Sequence, residues 1–200
     1  MSSASATLSA SQPHNSSKRW IQLIVGVICM IATANIQYAW TLFVPEIQST
    51  YGWKRASIQV AFTIFVLVQT WLAPIEGYFI DKFGPRLMVA FGAIFIGAAW
   101  IINSQATTLT GFYIGAAVGG VGVGSIYATC INNALKWFPD RRGLAVGLTA
   151  GGYGAGSAAT ILPIAAMIKA SGFQETFLFF GILQGSLAFI AVVPELAETR

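Results

Sequence analysis

Apolar residues in this chain run in long blocks separated by short polar turns. Six blocks can be read, at 21–44, 57–80, 87–102, 109–135, 143–168 and 177–193. A helix needs about 20 mostly apolar residues to cross the hydrocarbon core of a bilayer, and the two shorter blocks reach that length with flanking residues. The pattern predicts an all-α membrane protein of six transmembrane helices. It divides the chain into a polar tail at 1–19, a six-helix bundle at 20–194 and the start of a cytoplasmic loop at 195–200.

Composition sharpens this picture. Hydrophobic residues make up 56% of the 200 and charged residues 9%, against about 25% charged in soluble domains, so no soluble domain is expected. The Ser- and Ala-rich tail reads as disordered. It has neither the early basic region nor the apolar core of a signal peptide. Lys and Arg favour cytoplasmic loops. With six spans, Lys18, Arg19, Lys82, Arg86, Lys136, Arg141, Arg142 and Arg200 share one side, and Lys54, Arg55 and Lys169 the other, eight against three. Both termini are therefore expected in the cytoplasm. The net charge of +4 is an orientation signal dispersed over short loops, not a nucleic-acid surface.

Lipid offers little hydrophobic reward for helix association, so small residues that let backbones approach do the packing. Gly143, Gly147, Gly151 and Ala155 form one stripe, with Gly152 and Gly156 beside it. Gly115 with Gly119, Gly120 with Gly124, and Gly181 with Gly185 form others. Such stripes suit either static packing or helices that rock on each other. Pro74 and Pro163, inside blocks, remove backbone donors and invite kinks.

Polar groups inside lipid call for an explanation. Thr33, Gln37 and Thr41 recur at four-residue steps, with Tyr38 and Trp40 beside them; Gln59, Gln69, Tyr127 and Tyr153 lie in other blocks. As a set they predict a wet, aromatic-lined cavity at mid-membrane; singly, each reads as interhelical hydrogen bonding or packing. Glu76 is the only acid within a block. Proton coupling or gating is one reading. The expected one is that it reaches the nearby interface or pairs with a cytoplasmic Arg. No Lys or Arg lies deep in any block, so the chain offers an anion aromatic and amide groups but no buried cation.

Enzymatic readings fare poorly. The only His, His14, is in the tail, which leaves no Ser–His pair in the spans, and H-E-x-x-H is missing. Cys29 and Cys130 lie in separate blocks without metal-ligand spacing. No G-x-G-x-x-G follows a strand, so no cofactor is implied. Neither a filter-like loop nor a ring of charges points to a channel.

The turn Gly77-Tyr78-Phe79-Ile80-Asp81-Lys82-Phe83-Gly84-Pro85-Arg86 places a tight-turn glycine before a proline that cannot continue a helix. It resembles the G-x-x-x-D-[RK]-x-G-R-[RK] signature of the major facilitator superfamily, with Pro85 where Arg is common. Three further stretches, Asn35 to Leu42, Lys136 to Ala145 and Thr149 to Gly156, resemble the oxalate/formate antiporter family from about Trp20 onward. The R-G-x-A-x-G start of the fifth block is also similar to monocarboxylate transporters. The resemblance implies one half of a twelve-helix fold, made of two inverted three-helix repeats, in the plasma (inner) membrane. It implies exchange of small carboxylates by alternating access, with Gln37, Tyr38, Tyr127 and Tyr153 lining the site and Gly77, Asp81, Lys82, Gly84 and Arg86 forming a conformational latch. The family's cationic Arg and Lys belong to a C-terminal six-helix half as partner. The chain is expected to be a fragment or truncated product, with a separate second half or a homodimer as the other readings. A proton-coupled monocarboxylate transporter half and a non-transporting membrane protein are the alternatives.

Overall fold

A computed structural model describes residues 16–192. The expected disordered tail up to residue 15 and the expected loop at 195–200 lie outside the described residues. Every regular element among the described residues is a helix: α1 Ser16–Thr33, α2 Asn35–Tyr38, α3 Trp40–Tyr51, α4 Arg55–Trp71, α5 Ala73–Phe83, α6 Pro85–Gln105, α7 Leu109–Trp137 and α8 Arg142–Val192. The first helix thus begins at Ser16, ahead of the expected bundle boundary at 20.

Among the described residues, four runs are long and apolar enough to cross a membrane: Ser17–Tyr51, Ala73–Gln105, Leu109–Trp137 and Arg142–Ala191. They differ from the six blocks because breaks fall where hydropathy does not mark them. The block at 57–80 is divided at Leu72 into α4 and α5. Pro74 sits in the first turn of α5, where its missing amide would have had no intrahelical partner. The last two blocks are joined in α8. Its 51 residues would reach roughly 75 Å as one rod at 1.5 Å per residue, over twice the hydrocarbon thickness. Gly172 interrupts it with φ 81° and ψ 171°, a backbone that side-chain-bearing residues rarely adopt. Pro163, in contrast, lies inside α8 away from that break.

The first long run passes through turns at Ala34 and Ala39 on either side of the four-residue α2, and its backbone stays right-handed helical at both. The amides of Gln37 and Tyr38 both donate to the Ala34 carbonyl, at 3.3 and 3.1 Å. At the other turns the local chemistry is as the residues suggest. Gly84 takes φ 80° and Pro85 opens α6. The Thr108 hydroxyl accepts from the Gly111 amide at 3.2 Å and caps α7.

The helices assemble around α7, which packs on α1, α4, α5, α6 and α8. Its glycines face different neighbours in turn. A Cβ on Gly119 would meet Ile36 of α2 at 2.9 Å, and one on Gly120 the Phe65 carbonyl of α4 at 2.7 Å. On Gly122 it would meet the Gly92 carbonyl of α6 at 2.8 Å, and on Gly124 the Glu76 carboxyl of α5 at 2.7 Å. An aromatic cluster fills one region of the core, where Phe43 stacks on Phe177 at 3.9 Å with Trp100 beside both. Such contacts supply the dispersion that holds helices together when lipid is the competing solvent.

The expected stripe on α8 is corrected by the packing. A Cβ at Gly143, Gly147 or Gly151 would meet nothing within 4 Å among the described residues. The neighbouring stripe makes the contact: Gly152 lies on Val27, and a Cβ on Gly156 would sit 2.4 Å from the Ile31 carbonyl of α1. Periodicity marked two adjacent faces, and the helix turned only one of them inward. Gly156→Ala is therefore expected to destabilise the bundle by about 1–3 kcal/mol, because backbone must shift to admit the methyl. Gly151→Ala is expected to be neutral or to stabilise by up to about 1 kcal/mol through helix propensity. Thermal melts in detergent check the pair; equal effects would contradict the packing.

Candidate functional site

Gln37 and Tyr38 of α2 pack toward α8, where Gly152 lies against Val27 of the preceding α1. Beside Gly152, the Tyr153 hydroxyl donates to Gln37 Oε1 at 2.7 Å. The Tyr38 ring lies 5.3 Å from the Tyr153 ring, tilted by 58°, and the Tyr127 ring of α7 meets it edge-on at 5.6 Å. All four residues expected at the site are thus one cluster centred on Tyr153. Tyr153 is 5% exposed and Tyr38 45%, so the cluster has a buried floor and an open side. It presents phenol hydroxyls, an amide and aromatic ring edges. The hydroxyls and amide N–H groups can donate to an anion, and ring edges carry partial positive charge.

Other residues of the expected polar face go elsewhere. Trp40 is buried and turned to the far side, where its indole N–H donates to Gln59 Oε1 at 3.2 Å and its ring meets Phe112. The Thr33 hydroxyl returns to the Cys29 carbonyl at 3.0 Å, and Thr41 to the Tyr38 carbonyl at 3.4 Å. Thr33 and Thr41 spend their hydroxyls on carbonyls of their own run, and Trp40, two residues and about 200° around the helix from Tyr38, faces away from it. A second polar contact, not expected from the sequence, joins the Thr160 hydroxyl to the side-chain amide of buried Asn35, with the Gly156 carbonyl also in reach of that hydroxyl at 2.6 Å. The available signal was that Thr160 follows Tyr153 by seven residues, two turns along one helix face.

Glu76 corrects a further expectation. Among the described residues it forms no ion pair with Arg, and it is buried against Gly124 and Ser125 of α7 rather than open to the surface. The lack of side chains at Gly124 opens that place.

The residues expected to form a latch lie around the Gly84 turn. Asp81 pairs with Lys136 near the end of α7 at 3.3 Å, in the open. Lys82 lies over the rings of Tyr78 and Phe83 at 5.9 and 5.5 Å. Gly77 is on α5, and Arg86 is exposed in the first turn of α6. Just past α7, Asp140 accepts from the Arg19 guanidinium, which also lies 4.6 Å over the Phe138 ring.

Residues 23–198 match the family profile described as Major Facilitator Superfamily. The chain belongs to the major facilitator superfamily. This superfamily member is 36% identical to the oxalate:formate antiporter of Oxalobacter formigenes over 172 residues, 86% of this chain and 41% of that protein. It is 32% identical to a 38 kDa protein encoded in the 23S RNA operon of Thermoproteus tenax, over 81% of this chain and 43% of the relative. A probable sulfoacetate transporter of Cupriavidus necator is 25% identical over 80% of the chain and 38% of its own length. The chain spans about two fifths of the length of these curated relatives.

Two predictions follow from the geometry of this superfamily chain. Tyr153→Phe removes one donor and leaves Gln37 Oε1 without it, a loss expected to cost about 1 kcal/mol, read as a lower melting temperature than that of Tyr38→Phe. At the Arg19 contact, the Asp140 carboxyl is held below the usual carboxylate range, first by its own backbone amide and then by the Arg19 guanidinium. A depressed carboxyl adds stability above its unfolded value of about 3.9, and this is lost as pH falls through the folded value. The effect is small because Asp140 is exposed and screened. Asp140→Asn is expected to melt slightly lower than wild type at neutral pH and equally in strong acid; a difference that grows on acidification would contradict it.

Proposed function

We propose that this superfamily chain is the N-terminal half of an exchanger of small carboxylates, of the oxalate/formate type, working by alternating access. In this reading it holds six spans as two inverted three-helix repeats. Both termini face the cytoplasm from the plasma membrane, and a C-terminal six-helix half completes the site with cations. The observation that carries the reading is the Tyr153–Gln37 hydrogen bond between flanking Tyr38 and Tyr127 rings. The name of the Oxalobacter formigenes relative supports the substrate class.

The arrangement suits a carboxylate in a specific way. Gln37 Oε1 occupies the acceptor position that a carboxylate oxygen would take opposite the Tyr153 hydroxyl. When the anion arrives, Gln37 gives up that position and rotates its amide so that its N–H groups donate instead. The rings of Tyr38 and Tyr127 turn edges toward the flat anion and exclude water from its faces. Gly77, Asp81, Lys82, Gly84 and Arg86 hold the turn that couples the two halves. The Asp81–Lys136 pair is the contact within this half that such a latch would exchange.

The test is labelled-oxalate and labelled-formate exchange in proteoliposomes. The 200-residue chain alone is expected to show none, because the buried cations come from the other half. Fused to the C-terminal half of the Oxalobacter formigenes antiporter, it is expected to exchange. In that fusion Tyr153→Phe should raise the half-saturating oxalate concentration about 10- to 100-fold, the worth of a hydrogen bond to a charged group. Robust exchange by the chain alone, or an active fusion indifferent to Tyr153→Phe, would overturn the reading.

A further inference from the structure

The transport reading leaves one buried ionisable group unused. Glu76 is 4% exposed and lies between α5 and α7. Its Oε2 has no hydrogen-bond partner, and its Oε1 lies 3.3 Å from Ser125 Oγ. The same Ser125 oxygen lies 2.9 Å from the Val121 carbonyl oxygen. A serine hydroxyl carries a single hydrogen. The carbonyl can only accept, so at the shorter distance that hydrogen points at Val121. A protonated Glu76 satisfies both contacts at once, its O–H donating to a Ser125 lone pair while the serine hydrogen stays on Val121.

We propose that Glu76 is a proton-binding site, held as the neutral acid against Gly124 and donating to Ser125 while α5 is packed on α7. The reaction is the plain one: the carboxylic acid gives a proton to water and becomes a carboxylate. The ion then has no counter-charge in the contact, so α5 must draw away from α7 to hydrate it. The proton is thus bound in the packed state and released in the separated one. This holds whichever anion the transporter moves.

On α5 itself the titratable groups are Tyr78, Asp81 and Lys82, and Asp81 is engaged by Lys136 of α7. The charged residue of α4 is Arg55, in its first turn, and that of α6 is Arg86, in its first turn. On α7 the remaining titratable groups are Tyr113, which bonds the Ser57 carbonyl, Tyr127, which packs on Tyr153, and Cys130, which faces α1. The Glu76 carboxyl is hydrogen-bonded only to Ser125 among the described residues. A metal cation is a poor occupant. Hard cations want six or more oxygens, and here a single carboxyl and one hydroxyl converge.

Infrared spectroscopy of the full chain in lipid tests this. At neutral pH the wild type should show the C=O stretch of a protonated carboxylic acid. The band should be lost in Glu76→Gln and should shift in Ser125→Ala, where the acceptor is gone. Replacing choline with sodium at constant ionic strength should leave it unchanged. A wild type without the band overturns the proposal without recourse to any variant. A band insensitive to Ser125→Ala overturns its assignment to Glu76, and a band abolished by sodium makes the site one for a metal cation. In melts, alkaline pH should lower the wild-type transition and spare Glu76→Gln; identical alkaline losses would overturn the link between the proton and helix packing. None of these readouts involves oxalate, so failure here is separable from failure of the transport reading.

Discussion

Close backbone approach along one face after another of α7 is the constraint on which the rest of this structure depends. Within a bilayer the hydrophobic effect does not distinguish helix from lipid, so association rests on packing. Gly119, Gly120, Gly122 and Gly124 occupy little more than one turn and a half, yet each admits a different neighbour. Two of those contacts, Gly120 on the Phe65 carbonyl and Gly122 on the Gly92 carbonyl, are with main chain, which cannot swing aside as a side chain does. Larger residues there would push apart several helices at once.

The close packing also decides where polarity can sit. Gly152 draws α1 and α8 together, and Tyr153, the next residue, is thereby brought to Gln37. Gly124 leaves a space that the Glu76 carboxyl fills. In both cases a glycine contact and a polar contact are neighbours in sequence. Removing a side chain lets the helices touch, and the adjoining residue finds a partner near enough for a hydrogen bond. At these two places the packing gives a buried polar group a partner, which counts for most in a low-dielectric interior.

The ends of the helices follow a different rule. Asp81 with Lys136, and Arg19 with Asp140, are exposed pairs in reach of water. Such pairs contribute little to stability, but they break and reform at little cost. That suits the turn around Gly84, whose residues resemble a signature associated with movement between halves. Rigid contacts lie at mid-helix and exchangeable ones at the surface, and a rocking bundle needs both.

By itself the amino-acid sequence determined that the chain is helical and built for a bilayer, because block length and the scarcity of charge are properties of composition and order alone. It also determined the turn at Gly84-Pro85, since the chemistry of those two residues is local, and the family, since the motifs are contiguous. Gln37, Tyr38, Tyr127 and Tyr153 stood out as polar and aromatic groups within apolar blocks, together with Thr33, Trp40, Thr41, Gln59 and Gln69, and resemblance singled out these four. Their separation in the chain has no periodicity that would bring three helices together. Tertiary structure decided which of two adjacent glycine stripes on α8 faces α1, because both share the same spacing. It decided that Trp40 meets Gln59 and Phe112, since which helix lies on the face opposite Tyr38 is a matter of assembly. It also decided that Glu76 is buried rather than at the interface. Depth along a helix is readable from residue number, but whether a neighbour presents glycine or a bulky side chain at that depth is a fact of packing.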